Sequence, residues 1–237
     1  MWNIKEEDLD EFRITCRHRL SPEGGMLFMF GGMLYSSLLM LFIFGALIRF
    51  GWDYYPTLFD TVMVRMELLL YSLQVIFFII YLIPKVRFKF QKLQTLVILL
   101  YAFQLGTIGL TAFVLPGMSN YSINFITLIY VGLLVLGAIL VHGVTTFDTF
   151  KQASKGAFSM GERSTSFFNK EKKNVMFGYF IFTFIMYAIA IGAAEFQLLA
   201  YCRFKFPSFY ISWEEHERGR QKRLKLYEEK EKRKLKK

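Results

Sequence analysis

Cysteine, histidine and proline are all scarce in this chain. Two cysteines occur in 237 residues, Cys16 and Cys202. A small disulfide scaffold needs more, and two isolated thiols read as reduced. Three histidines occur, His18, His142 and His216, in three separate regions. A three-His metal site is therefore not expected. Cys16 and His18 are too close-set for a normal zinc pair and lack further Cys partners. The chain has no GxxxxGK[ST] phosphate loop, no HExxH and no GxSxG elbow. His142 and Asp148 could serve a membrane hydrolase or transferase, but no nucleophile or metal cluster accompanies them. The expectation is a protein without enzymatic activity and without a cofactor. No internal repeat is visible, so an inverted-repeat transporter is not supported.

Apolar residues are abundant, at 54%, with 27 Phe. That excludes a disordered chain. Acids are outnumbered, 19 Asp+Glu to 29 Lys+Arg, and the net charge is +10. The charges sit in blocks, separated by apolar runs too long for a soluble core. A bilayer core of ~30 Å takes ~20 helical residues. Five runs reach that length: about Met26 to Phe50, Val62 to Ile83, Leu96 to Leu115, Ile123 to Val144 and Val175 to Tyr201. They are apolar all round, unlike alternating barrel strands. The fold class expected is an all-α polytopic membrane protein with about five transmembrane helices, between four and six.

Around that bundle (23–203) lie an N-terminal arm (1–22) and a basic tail (204–237). Ser21-Pro22-Glu23 offers a helix cap, a first-turn proline and an early acid. Pro84 closes the second run and Pro116-Gly117 the third. Only Met118 to Ser122 links runs three and four, which predicts a tight hairpin. Trp52-Asp53-Tyr54-Tyr55-Pro56 joins runs one and two and suits the headgroup level. The first run begins after some 25 mixed-charge residues and no small-x-small site follows, so it is not read as a cleaved signal peptide. No lipidation pattern is present.

Leu9, Phe12, Cys16 and Leu20 follow helical spacing, and the arm reads as an amphipathic helix on the membrane face. Its acids, Glu6, Glu7, Asp8, Asp10 and Glu11, argue against simple docking to anionic lipid and suit a basic loop. Residues 148–174 read as a solvated, Ser-rich loop. The tail from Trp213 interleaves six Glu with 11 Lys+Arg, and pairs such as Glu214–Arg218, Glu228–Lys232 and Glu229–Arg233 support a helix. Its expected partners are anionic lipid or protein. Nucleic acid is not expected, because aromatic platforms and motifs are missing.

Positive charge marks the cytoplasmic side. Lys5, Arg13, Arg17 and Arg19 precede the first run. Lys85, Arg87, Lys89 and Lys92 lie between runs two and three, and Lys151, Lys155, Arg163, Lys170, Lys172 and Lys173 between four and five. These fit an N-terminus on the cytoplasmic side, and the location expected is a bacterial cell membrane. The tail, with 13 basic residues from Arg203, belongs there too. Five crossings would put it outside, so either one segment does not fully cross, the fifth being the natural suspect despite its apolar length, or the tail lies outside.

Polar groups inside apolar runs are the candidate site residues: Arg65, Glu67, Gln74, Gln104, His142 and Glu195. Glu67, Glu195 and His142 could form a proton or cation path. Alternatively, Arg65 and Glu67 snorkel to the interface while Glu195 pairs with a neighbouring helix. Small residues predict helix contacts: Ala188 with Gly192, Ala190 with Ala194, and Gly106 with Gly109. These features suit a contact protein, an accessory, immunity or defence-system membrane subunit that binds lipid and another membrane protein or its own copies. The alternative is a small ion or solute transporter or channel using Glu67 and Glu195.

Overall fold

The computed structural model describes residues 4–115, 125–155 and 177–222. Every regular element among them is helical. A 3-10 turn (Glu6–Leu9) leads into α1 (Asp10–Arg17). The long helices are α2 (Pro22–Phe50), α3 (Leu58–Leu82), α5 (Gln91–Gly109), α6 (Phe125–Ala153) and α7 (Phe177–Lys205), with a short α4 (Pro84–Lys89). A π turn, Leu110–Val114, extends α5. Helix α8 (213–222) follows a 3-10 turn at Pro207–Phe209. Five helices are long and apolar enough to cross a membrane. The protein is an all-α, multi-pass membrane protein.

Local chemistry sets the helix ends. Ser21 accepts from the Gly24 amide at 3.2 Å and Pro22 fills the first turn, as the sequence predicts. Helix α3 starts four residues earlier than its apolar run does. Thr57 and Asp60 form a capping box there, which satisfies two amide groups reciprocally. Thr57→Ala should cost about 1 kcal/mol, read as a lower melting temperature with unchanged helix content. At the other end of α3 the Arg87 guanidinium donates to the carbonyls of Tyr81 and Leu82, both at 3.2 Å. Pro84 then starts α4.

Register follows from the contacts. Phe30 meets Phe78 and Ser37 meets Tyr71, so α2 and α3 are antiparallel. Gln94 reaches the Pro22 carbonyl at 2.8 Å, so α5 runs parallel to α2. A Cβ on Gly25 would stand 2.8 Å from the Ile98 side chain, and this glycine lets α2 and α5 approach closely. Two apolar clusters fill this trio. Met26, Met29, Tyr81, Ile98 and Tyr101 pack one half, and Leu39, Met40, Ile43, Val64 and Ile108 the other. Helix α5 is the most buried of the five spans and α6 the least. The outward apolar side chains of α6, among them Leu133, Ile139, Leu140 and Val144, face the surroundings as lipid contacts would.

Two sequence expectations need correction. Among the described residues the third and fourth spans do not pack closely on each other as a hairpin would, and the 116–124 link lies outside those residues. Helix α7 packs on α5, and α6 packs on α7. Moreover, α6 and α7 are parallel: Gly137 lies at Tyr187, Thr146 at Gln197 and Phe150 at Tyr201. The fifth span, α7, has 29 residues and is one of the five helices long and apolar enough to cross a membrane. Its final turns reach the end of the bundle where the N-terminal arm sits. Arm and tail thus share one end although five spans separate them. Lys155 and Phe177 lie at opposite ends of the α6–α7 pair, roughly 40 Å apart by helix rise.

The arm also differs from expectation in what it touches. Leu9, Phe12, Cys16 and Leu20 form one buried face, as their spacing predicts. That face packs on Ala153, Leu198, Leu199, Cys202 and Phe209 of the protein itself, not on lipid. Arm acids pair within the arm, Arg13 holding both Glu6 and Asp10.

Candidate functional site

Three polar assemblies interrupt the apolar bundle. The first is a platform at the end where arm and tail meet. Arg203, in the last turn of α7, is 1% exposed. Its Nη1 donates to Thr95 Oγ1 at 2.7 Å and to the Gln91 carbonyl at 3.3 Å, and its Nη2 donates to the Leu20 carbonyl at 3.0 Å. One guanidinium therefore ties arm, α5 and α7 together. Gln91 extends the tie: its amide donates to the Ile211 carbonyl at 2.6 Å and accepts from the Ile211 N–H at 3.3 Å. Lys92 stands over the Phe204 and Tyr210 rings. Arg17 pairs with Glu215 at 3.3 Å, and His216 with Glu23 at 3.1 Å. Between α1 and α8 this leaves a cleft of about 630 Å³, whose lining includes Arg17, His18, His216, Arg218 and Lys222.

Cys16 lies under this platform. Burial pushes its thiol up from 9.0 to about 12, with Arg203 opposing the shift and Glu195 adding to it. The thiol therefore stays neutral in the folded chain at mildly alkaline pH, while an unfolded thiol ionises. The Cys16 contribution to stability is full below about pH 9 and declines as pH rises toward 12. Native protein should resist iodoacetamide at Cys16 at mildly alkaline pH, and detergent-unfolded protein should react. Mass spectrometry of the Cys16 peptide reads both states.

The second assembly lies between α3 and α5. Glu67 is fully buried, against the expectation that it snorkels. Thr111 Oγ1 donates to Glu67 Oε1 at 3.4 Å, and Gln104 Nε2 donates to the Glu67 carbonyl at 3.3 Å. Thr107 also lies within hydrogen-bonding reach of this carboxyl. Two turns along α3, the Gln74 carbonyl accepts from Tyr101 Oη at 2.7 Å. Glu67 Oε2, Gln104 Oε1 and both side-chain polar atoms of Gln74 have no hydrogen-bond partner. Arg65 behaves as the sequence suggests: it is exposed, 5.2 Å from the Trp52 ring centroid at the opposite end.

The third is a ladder between α6 and α7. His142 Nδ1 contacts the Ala190 carbonyl at 2.7 Å and its Nε2 contacts Gln197 Nε2 at 3.0 Å. Thr146 donates to Gln197 Oε1 at 3.0 Å. Glu195 points elsewhere and pairs with Arg19 of the arm. Glu67, His142 and Glu195 therefore sit in three different places. Of the small residues, Ala194 is buried in the bundle, whereas a Cβ on Gly192 would meet open space and Ala188 is exposed.

No family model, curated protein or solved structure matches this chain. Its own geometry is what bears on function. Among the described residues no group of three His, Cys, Asp or Glu side chains could hold a metal ion. Sequence reasoning missed Arg203, Gln91 and Thr95, the residues of the tie. In the sequence Arg203 stands out only as the first of the tail's basic residues. Gln91, Gln94 and Thr95 recur at helical spacing on the face that continues through Ile98, and that polar stripe was the available signal.

Proposed function

We propose that this chain is a non-enzymatic membrane protein that works by contact, as an accessory, immunity or defence-system subunit whose arm and tail lie on the cytoplasmic side of a bacterial membrane. The observation that carries this reading is the platform. Both termini of the described chain are bound into one charged surface around Arg203, and that surface holds a basic cleft. Arg17, Arg19, Lys85, Arg87, Lys89, Lys92, Lys151 and Lys155 cluster at this end, the pattern of a cytoplasmic face. Anchoring a surface this way keeps it preorganised, which lowers the entropy cost of binding a partner. The engagement of Glu195 with Arg19 favours contact over transport, because that carboxylate already has its cation.

An acidic segment of another membrane protein, or anionic headgroups beside it, suits a cleft of this charge. Arg218→Glu combined with Lys222→Glu should lose at least tenfold of a stoichiometric partner in mild-detergent purification from the native membrane. The particle mass from native mass spectrometry should fall accordingly. Purification of wild type as a bare monomer, with no bound protein, would reject the reading.

A further inference from the structure

We propose that the α2–α3–α5 core contains a binding site for one positive charge at Glu67, taken up as a proton or as a small alkali cation. This goes beyond the contact reading and does not depend on it. The carboxyl is fully buried in a membrane-spanning segment. No basic side chain pairs with it among the described residues, and one of its oxygens has no hydrogen-bond partner. An unpaired carboxylate in such surroundings is strongly disfavoured, so a stable core requires a compensating charge.

The surrounding chemistry suits an acceptor-rich site. Glu67 contributes two oxygens, Thr111 and Thr107 contribute hydroxyls, and Gln104 Oε1 is a second buried acceptor without a donor. Carboxylate, hydroxyl and amide oxygens are what a hard cation takes, the Gln104 amide nitrogen being turned to the Glu67 carbonyl, and a carboxyl hydrogen would equally supply a missing donor. Gln104 and Thr107 on α5 and Thr111 in its π-turn extension fall at spacings of three and four and line the side that faces Glu67. The tie of Tyr101 Oη to the Gln74 carbonyl holds α3 against α5 nearby.

The other titratable groups on the packed elements are otherwise placed. On α3, Asp60 belongs to the Thr57 capping box, Arg65 lies at the Trp52 ring, Tyr71 bonds Ser37 and Tyr81 donates to the Phe90 carbonyl. On α5 there are Tyr101 and, at the platform end, Lys92 over the Phe204 and Tyr210 rings. On α2 there are Tyr35, whose hydroxyl is unpartnered, and the terminal Glu23 and Arg49.

The test is thermal melting of the purified full chain in detergent, followed by tryptophan fluorescence. Melts are taken across mildly acidic to alkaline pH, in sodium chloride and in choline chloride of equal strength. Wild type should gain several degrees on acidification, or at alkaline pH in sodium against choline. The first pattern identifies a proton, the second an alkali cation. Glu67→Gln should melt higher than alkaline wild type in choline and lose both responses. Should that variant fail to fold, Thr111→Val keeps the carboxyl and should shift the response. An infrared band of a buried carboxylic acid in wild type reports the proton directly. Wild-type melting indifferent to both pH and sodium overturns the site, as does a response that persists unchanged in Glu67→Gln. Loss of a protein partner in the cleft variants leaves these melts unaltered, so the two proposals fail separately.

Discussion

Arg203→Leu should release the N-terminal arm and lower stability more than any other single change at the platform. Hydrogen bonds to a charged donor each contribute about 1.5–3 kcal/mol. Arg203 makes three of them, to Thr95, Gln91 and Leu20. Leucine replaces the apolar stem but none of the donors. The Leu20 and Gln91 carbonyls lose this guanidinium donor. Against this, the substitution removes a buried cation whose Nε has no partner, and that relief offsets part of the loss. The balance is a destabilisation of about 3–5 kcal/mol, as for other broken buried charge networks. Two readouts should move together. Trypsin should cleave at Arg13 and Arg17 in the variant, and Cys16 should become reactive to iodoacetamide without denaturant. Protection of both in the variant would show that the apolar face of α1 holds the arm alone. Arg203→Lys should fall between, because one ammonium cannot reach all three acceptors.

Gly24→Val should open the same arm from the opposite side. A Cβ at position 24 would overlap the carbonyl of Arg19, a backbone group that cannot rotate away as a side chain would. The overlap forces the chain between α1 and α2 to move. That displacement also strains the Ser21 cap, whose bond ends on the Gly24 amide itself. The expected cost is about 3 kcal/mol, the upper part of the range for overpacking. Circular dichroism should show the long helices retained while trypsin finds the arm. Melting and proteolysis equal to wild type would mean that the 18–24 turn adapts freely. Combined with Arg203→Leu, the loss should be less than additive, since both changes release one element.

Much of the bundle was legible in the sequence because spans obey length and hydropathy, properties that depend little on neighbours. The apolar face of the arm was legible for a similar reason: helical spacing reveals a stripe whatever covers it. What covers it was not legible. Leu9 and Phe12 suit lipid and protein equally well, and only the fold brings Leu198 and Phe209 to them. The parallel setting of α6 and α7 was hidden too. Counting spans assumes that each link, long or short, reverses the chain, and the packing of Thr146 on Gln197 departs from that rule. Glu67 was singled out correctly as an intramembrane charge. Its depth was misread, because three helices rather than bilayer position determine how far it lies from water. The partners Thr107 and Thr111 were passed over, since hydroxyls are tolerated in apolar helices and leave little mark on hydropathy.

The bond from Arg203 to the Leu20 carbonyl joins groups 183 positions apart, and this has a consequence for biosynthesis. A ribosome adds about 5–20 residues per second, so the arm waits about 10–40 s before its acceptor can meet the guanidinium. Until α7 is inserted, Leu9, Phe12 and Cys16 have no lasting cover. A truncated or mis-inserted chain keeps that apolar stripe on display. Closure of the arm thus marks a chain whose fifth span has taken its place, and until then the stripe stays uncovered.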